Sequence, residues 1–85
     1  MIRIEKEAGR FDLAPQLVEI LDNVYGQSPW TLEQVLADIG QAQNWYVLAY
    51  SGEALVGFLA MQETLYELEV VQIAVRKEWQ GRGIA

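Results

Sequence analysis

The chain has 85 residues, which is enough for one small domain and too few for two. It contains no cysteine and no histidine, so disulfide scaffolds, thiolate metal sites and histidine acid–base catalysis are excluded. With 52% apolar and 21% charged residues, the composition is typical of a folded protein. Apolar runs are too short to span a membrane and the start of the chain lacks the apolar core of a signal peptide, so we expect a soluble cytoplasmic protein with no membrane partner.

The net charge of −6 is unevenly distributed along the chain. Residues 11–75 contain nine acidic side chains and no basic one, which argues against nucleic acid as a partner because phosphate binding requires many cations. We interpret this acidic stretch as a solubilising surface. The last ten residues carry a net charge of +2 and are the one place where a compact anion would be favoured. The six basic residues are Arg3, Lys6, Arg10, Arg76, Lys77 and Arg82.

The first predicted elements are a strand and an amphipathic helix. Apolar and charged side chains alternate over residues 2–7, which predicts a half-buried strand. Apolar residues then recur at helical spacing, with Asp12 as the expected N-cap, Pro15 in the first turn and Gly26 at the end. The pattern therefore predicts one helix that buries a single apolar stripe.

A second, shorter helix of about two turns is predicted next. Thr31 and Gln34 have the spacing of a capping box, and apolar side chains follow at helical spacing until Gly40. Trp30, at the entry of this helix, and Trp45, at the start of the next strand, are interpreted as large apolar anchors that lie in the core or at its edge.

Three strands are predicted in the second half of the chain, at residues 45–50, 55–61 and 68–75. A short turn at residues 51–53 joins the first two into a hairpin. Gly57 inside a strand predicts a bulge or a close approach by a neighbour. The expected fold class is α/β (α+β) in the order β-α-α-β-β-β, with a mainly antiparallel sheet covered by two helices.

Residues 76–85 form a charged loop with two glycines that flank an arginine. Glycines at this spacing let consecutive backbone N–H groups converge on phosphate oxygens, and an arginine adds a charge-assisted donor. A plain polar loop explains the same residues equally well. The pattern lacks the lysine of a Walker A loop and the third glycine of a dinucleotide fingerprint.

The same residues resemble the acyl-CoA pyrophosphate loop of the GNAT superfamily of N-acetyltransferases. The run from Gln80 to Ala85 is similar to the family pattern Gln/Arg-x-x-Gly-x-Gly/Ala, and residues 73–75 are similar to its fourth-strand signature. Residues 29–31, Gly57 with Phe58, and residues 68–75 look most like the ribosomal-protein-alanine acetyltransferases, which modify protein N-termini. The resemblance covers the whole chain.

This resemblance implies the N-terminal half of an acyl-CoA N-acyltransferase fold. Residues 1–85 would be a partial domain, truncated at the pyrophosphate loop where the third helix of the family begins. The cosubstrate would be acetyl-CoA, and the partner an amine acceptor, either a peptide N-terminus or a small amine. The implied binding residues are Ile73, Ala74 and Val75 on the strand and Gln80, Gly81, Arg82, Gly83, Ile84 and Ala85 in the loop.

Glu69 is the candidate catalytic residue. It precedes Ile73 by four residues, where some family members place the glutamate that deprotonates the amine. The alternative is that Glu69 lies on the solvent face of an alternating strand. The other acidic residues show no ligand-like clustering, so no metal site is predicted: Glu5, Glu7, Asp38, Glu63 and Glu67.

The implied activity is direct transfer of an acetyl group from acetyl-CoA to a primary amine, without a covalent enzyme intermediate. Without the second half of the fold, we expect weak binding and no turnover by the 85-residue chain. Its fourth strand would then be an unpaired edge, which favours a homodimer. The alternative function is a non-enzymatic α/β module that acts by strand addition or self-association.

Overall fold

The computed structural model describes residues 2–82 and contains four strands and two α-helices in that range. They follow in the predicted order β-α-α-β-β-β, and neither helix is long and apolar enough to cross a membrane. The elements are β1 (Ile2–Glu7), α1 (Ala14–Tyr25), α2 (Leu32–Ile39), β2 (Asn44–Ser51), β3 (Ala54–Glu63) and β4 (Leu68–Val75), with short 3-10 turns at Phe11–Leu13 and Lys77–Trp79.

The start of α1 differs from the prediction. Asp12 is not the N-cap, because it lies inside the 3-10 turn that precedes the helix and the N-cap position is Leu13. The guanidinium of Arg10 donates to both oxygens of the Asp12 carboxylate, at 2.9 and 2.8 Å. The carboxylate therefore binds Arg10 and does not accept from the amides at the start of the helix. This hydrogen bonding also lowers the pKa of the Asp12 carboxyl. Pro15 lies in the first turn and Gly26 ends the helix with a φ of 78°, both as predicted.

The capping box of α2 is confirmed. The Thr31 hydroxyl accepts from the Gln34 amide at 3.2 Å, and the Gln34 side chain accepts from the Thr31 amide at 2.8 Å. Two of the N–H groups that lack a partner at a helix start are satisfied in this way. Gly40 is the C-cap residue.

The end of α2 is joined to β2 by a partly buried polar cluster around Asp38. The side-chain amide of Asn44 donates to one Asp38 carboxylate oxygen at 2.9 Å, and the Tyr46 hydroxyl donates to the other. Burial first, and then the hydrogen bond to Asp38, raises the pKa of the Tyr46 phenol. Asn44 Oδ1 is itself buried and has no hydrogen-bond partner within residues 2–82.

The sheet has the order β1-β2-β3-β4 with every neighbouring pair antiparallel, which confirms the expected antiparallel sheet. Two register shifts interrupt it. Ala49 pairs with Gly57 and Tyr50 with Leu55, so Val56 is an extra residue in β3. Ala60 pairs with Gln72 and Met61 with Val70, so Val71 is an extra residue in β4. Both are bulges, which bend a strand and increase its twist.

Gly57 lies beside the first bulge and is closely approached by β4. A Cβ built on Gly57 would lie 3.1 Å from the Ala74 carbonyl oxygen and 3.2 Å from the Val75 side chain. Both features predicted for this glycine are therefore present, since the bulge is adjacent and the approach is tight. The absence of a side chain at Gly57 sets how near the end of β4 can come to β3.

One face of the sheet packs against both helices and forms the core. Phe58 and Tyr46 contribute from the strands, with ring centroids 6.2 Å apart, and Trp30 is half-buried at the edge of the core. The largest side chains with less than 2% exposure are Leu17, Ile20, Leu21, Val35, Leu48 and Val56. Complete burial of one such aliphatic side chain contributes about 1.5 to 3 kcal/mol.

The opposite face of the sheet, here called the open face, has no helix packed on it within residues 2–82. The side chains of cross-strand partners point to the same side of a sheet, so the register places two apolar rows on this face. One row is Ile4, Ala49, Gly57 and Val75, and the other is Val47, Leu59 and Ile73. Ile4 and Ile73 remain 58% and 44% exposed there. Trp45 is half-buried on the same side, with the Lys6 ammonium 4.2 Å from its ring centre.

Candidate functional site

The candidate site consists of the C-terminal end of β4 and the loop that follows it, residues 76–82. The structure brings together the predicted strand residues 73–75 and the predicted loop residues 80–82, since only one short 3-10 turn separates them. Gly83, Ile84 and Ala85, also predicted to bind the coenzyme, lie outside the described residues.

Arg76 fixes the direction in which the chain leaves β4. Its amide donates to the Val56 carbonyl at 2.9 Å and its Nε to the Leu55 carbonyl at 3.2 Å. Its Nη2 pairs with the Glu19 carboxylate of α1 at 2.9 Å, and the Arg76 side chain is only 18% exposed. One arginine therefore ties the start of the loop both to β3 and to α1.

Asn23 of α1 holds the next residue. Its side-chain oxygen accepts from the Lys77 amide at 2.9 Å, and so satisfies an N–H at the start of the Lys77–Trp79 turn. Glu19 and Asn23 are four residues apart on α1, a spacing that places both side chains on one face of the helix. The last turns of α1 therefore form a platform for the loop.

Gln80 and Gly81 shape the far side of the loop. The Gln80 side chain folds back towards β4 and donates to the Val75 carbonyl at 2.9 Å, so the loop is hydrogen-bonded to the last residue of the strand. Gly81 has a φ of 79°, in the region that favours glycine because other residues meet a steric penalty there. Successive N–H groups around a residue of this conformation can point to one side and form an anion-binding concavity.

Arg82 provides a positive charge at the same place. Its guanidinium lies 4.7 Å from the ring centre of Trp79, a cation–π contact that orients the arginine while its side of the loop stays exposed. The salt bridges within residues 2–82 involve Arg3, Arg10 and Arg76. The exposed cations Lys77 and Arg82 are therefore available, as far as the described chain goes, to an incoming anion.

Ile73 and Val75 also line an apolar hollow of about 200 Å³ on the open face. Ala74, between them, points to the helix side and is 4% exposed. Gly57, which has no side chain, is one of the residues that line the hollow. Its lining residues are Ile4, Val47, Ala49, Gly57, Phe58, Leu59, Ile73 and Val75.

Glu69 lies near the start of β4 and is exposed. It pairs with Gln62, two residues beyond Ala60, so it shares the helix side of the sheet with Gln72. The Val71 bulge makes this possible, because strict alternation would put residues 69 and 72 on opposite faces. Ile73 lies four positions further along β4, roughly 13 Å from Glu69, so Glu69 is not part of the group formed by residues 73–75 and the loop.

Sequence reasoning missed Glu19 and Asn23. Each lies more than fifty positions from its partner in the loop, at 57 and 54 residues, and nothing local marks it. The one available signal is that both are polar residues four apart on α1. Within residues 2–82, no three acidic side chains lie close enough together to hold a metal ion.

Solved structures with a similar fold are described as acetyltransferases. The ribosomal-protein-S18-alanine N-acetyltransferase from Escherichia coli superposes with a TM-score of 0.84 at 18% identity, over 98% of this chain and 51% of that one. An aminoglycoside acetyltransferase from an uncultured soil metagenomic sample gives 0.77 at 22% identity, over 98% and 61%. The paia N-acetyltransferase from Thermoplasma acidophilum, in complex with coenzyme A, gives 0.76 at 16% identity, over 99% and 64%.

These likenesses establish the fold, and the chain spans between about half and two thirds of the length of those three proteins. A comparison with curated proteins finds no match. The model of the acetyltransferase (GNAT) family matches residues 12–85, which is most of the chain and includes both the α1 platform and the loop. This chain therefore belongs to the acetyltransferase (GNAT) family, as the sequence resemblance indicated.

Proposed function

We propose that this chain forms the coenzyme-binding half of an acetyl-CoA-dependent N-acetyltransferase site. The pyrophosphate of acetyl-CoA would bind at residues 80–85, and the acyl arm would extend along residues 73–75 of β4. Residues 1–85 would thus be a partial domain, and acetyl transfer would require the second half of the family fold. The proposal keeps the cytoplasmic location expected from the sequence.

The observation that carries this proposal is the loop anchored between α1 and β4. Gly81 has a left-handed φ, Arg82 is oriented over Trp79, and Arg76 and Lys77 are held by hydrogen bonds to Glu19 and Asn23. A loop held in place loses little freedom when an anion binds, so more of the interaction energy remains for binding. The net positive charge of this segment in an acidic protein favours the same ligand.

The chemistry that this geometry supports is direct attack on the thioester. The amine nitrogen bonds to the acetyl carbonyl carbon, the carbon–sulfur bond breaks and coenzyme A leaves as the thiolate. The proton that the amine loses passes to a base and from there to the thiolate sulfur, which gives the thiol. Main-chain N–H groups of residues 73–75 would orient the acyl arm and stabilise the developing oxyanion. An edge strand suits this role because one side of β4 carries no neighbouring strand within residues 2–82.

Coenzyme binding is tested by titrating acetyl-CoA against this chain and against one extended through a complete domain, using calorimetry and Trp79 fluorescence. We expect saturable binding by the extended protein and much weaker binding by residues 1–85. Arg82→Gln should weaken binding, whereas Lys6→Gln, which removes the cation near Trp45, should not. Absence of binding by both proteins would refute the enzyme proposal.

Glu69 is proposed as the proton acceptor, directly or through a water molecule. Support comes from its place on β4, upstream of the segment along which the acyl arm would extend, and from the acidic surroundings that favour a cationic amine. In the extended protein, Glu69→Gln should lower kcat with the affinity for acetyl-CoA unchanged. The 85-residue chain itself is proposed to be inactive, which a thiol-release assay tests.

The acetyl acceptor is proposed to be a primary amine, with a protein N-terminus as the first candidate. The support is the resemblance of residues 29–31 and 68–75 to enzymes that acetylate ribosomal protein N-termini. The test offers the extended protein a peptide and an aminoglycoside together and measures which one is acetylated. Preferential acetylation of the peptide supports a protein N-terminus as the acceptor, and preferential acetylation of the aminoglycoside supports a small polyamine.

The second candidate function is a non-enzymatic module that acts through the β4 edge. This edge is unpaired within residues 2–82, and it carries the apolar side chains of Val70 and Ile73, 52% and 44% exposed. Such an edge favours strand addition, including a homodimer of two β4 strands. Light scattering and amide exchange test it, and a monomer whose β4 amides are protected would argue against self-association.

A further inference from the structure

The tip of the β3–β4 hairpin, residues 64–67, presents two large apolar side chains to solvent. Leu65 is 93% exposed and Tyr66 is 95% exposed. The turn that carries them is closed by one threonine, since the Thr64 amide donates to the Glu67 carbonyl at 2.9 Å and the Glu67 amide donates to the Thr64 hydroxyl at 3.2 Å. The two side chains are thus held outward on a hydrogen-bonded turn.

The apolar surface continues from the tip into β4. Leu68 and Val70 are 54% and 52% exposed. Both side chains lie on the same face of the sheet, where their cross-strand partners are Glu63 and Met61. Single exposed apolar residues are common, whereas a continuous group of four on a hairpin end is typical of an interaction surface.

Two glutamates lie beside this apolar group. Glu63 is the cross-strand partner of Leu68, Glu67 is the last residue of the turn, and both are exposed. The hairpin strands β3 and β4 contain no lysine or arginine, and the salt bridges within residues 2–82 lie elsewhere in the fold. The tip therefore combines an apolar anchor with an uncompensated negative charge, which complements a cationic partner with apolar side chains.

The tip and the coenzyme loop lie at opposite ends of β4. The eight residues of this strand separate them by roughly 26 Å. If the acyl arm extends from the loop along β4, its reactive end approaches the tip. An acceptor that binds at the tip would then meet the acyl group from the side opposite the pyrophosphate.

We propose that the hairpin tip, with Leu65, Tyr66, Glu63 and Glu67, docks a basic peptide segment that carries the amine to be acetylated. This inference rests on the proposed acetyltransferase function. A peptide fits better than a small amine, because a small amine uses the charge alone and leaves both apolar side chains in water.

The test is a titration of the isotope-labelled 85-residue chain, read at its backbone amides, with the blocked peptide Lys-Leu-Lys-Phe-Lys. We expect amide shifts confined to residues 63–70. A peptide with glutamates in place of the lysines, and one with serines in place of the apolar residues, should bind at least about tenfold more weakly. Added salt should weaken binding of the first peptide.

Two pairs of variants control this test. Leu65→Ala with Tyr66→Ala should weaken binding by about tenfold or more, whereas Leu32→Ala, at an exposed position of α2, should leave it unchanged. Glu67→Gln should weaken binding and Glu33→Gln should not. Because the tip side chains are almost fully exposed, these variants keep the fold, which the unchanged amide spectrum of the helices verifies.

The outcomes separate this inference from the proposed function. No shift at the tip, or shifts that grow with protein concentration in the absence of peptide, would overturn the docking surface, the latter because a second copy occupies it. Adding acetyl-CoA to the same sample tests the loop independently. Loop shifts without peptide binding refute only the docking inference. Peptide binding without loop shifts retains the docking surface and refutes its assignment as an acceptor site.

Discussion

The two faces of the sheet are built from the same four strands but meet different surroundings. The helix-covered face encloses side chains such as Ile20 and Leu48, both 0% exposed, while the open face leaves Ile4 58% exposed. The covered face therefore accounts for most of the hydrophobic stabilisation. The open face, the β4 edge and the loop after it contribute less to folding, and they are where binding is proposed. The comparison indicates that stability and binding reside in separable parts of this small fold.

The largest expected effect comes from a matched pair of isoleucine substitutions, one on each side. Ile20→Ala removes a fully buried side chain and should lower the free energy of unfolding by about 2 to 5 kcal/mol. Ile4→Ala on the open face should cost about 1 kcal/mol or less. Urea unfolding followed by tryptophan fluorescence measures both. Equal losses would mean that the open face is as well packed as the covered one.

Gly57→Val tests the close approach of β3 to the end of β4. The added side chain would meet the Ala74 carbonyl and the Val75 side chain, so we expect a loss of about 1 to 3 kcal/mol and displaced Val75 and Arg76 amide signals. Ala54→Val, at an exposed position of the same strand, is the control, with a change within about 0.5 kcal/mol. An unchanged β4 spectrum in Gly57→Val would contradict the tight approach.

Asn23→Ala separates loop geometry from core stability. It removes the acceptor of the Lys77 amide and should cost about 0.5 to 1.5 kcal/mol, with amide changes concentrated in residues 76–82. It should also weaken acetyl-CoA binding, because the loop loses the hydrogen bond that holds the Lys77 amide. Gln16→Ala, exposed on the same helix, should have neither effect. Coenzyme affinity that survives Asn23→Ala would show that the platform does not position the loop.

The smallest expected effect is a pH dependence within the covered face. The pKa of Tyr46 is raised in the folded protein by burial and by Asp38, whereas in the unfolded chain it is about 10. As the pH rises above that value the unfolded chain loses the proton first, so stability is full below about pH 10 and falls above it. In Tyr46→Phe the fall should be shallower, measured by urea unfolding at neutral and alkaline pH.

The sequence predicted the parts of the fold that depend on local patterns. The capping box of Thr31 and Gln34, the end of α1 at Gly26 and the strand at residues 68–75 all follow from neighbouring residues, and the structure confirms them. The N-cap at Asp12 was wrong because Arg10, two residues earlier, binds its carboxylate. Local propensity alone could not show which of two short-range partners that carboxylate would take.

The tertiary contacts of the site were not predictable in the same way. Glu19 and Asn23 come within hydrogen-bond distance of Arg76 and Lys77 only because α1 packs against β4. No sequence pattern predicts the bulge at Val71, although this bulge determines which face of the sheet Glu69 occupies. The loop residues were found through a resemblance to a family, because a glycine–arginine–glycine turn is common in proteins.

The most direct test of the proposed function is an acetyl-CoA titration of the labelled 85-residue chain, read at its backbone amides, since this detects weak binding and reports where it occurs. We predict saturable shifts at residues 73–75 and 80–82, with α2 and β1 unaffected. Loss of these shifts in Arg82→Gln would place the coenzyme at the loop. Shifts scattered over α2 and β1, or none at saturating coenzyme, would contradict the assignment of this loop as the coenzyme site.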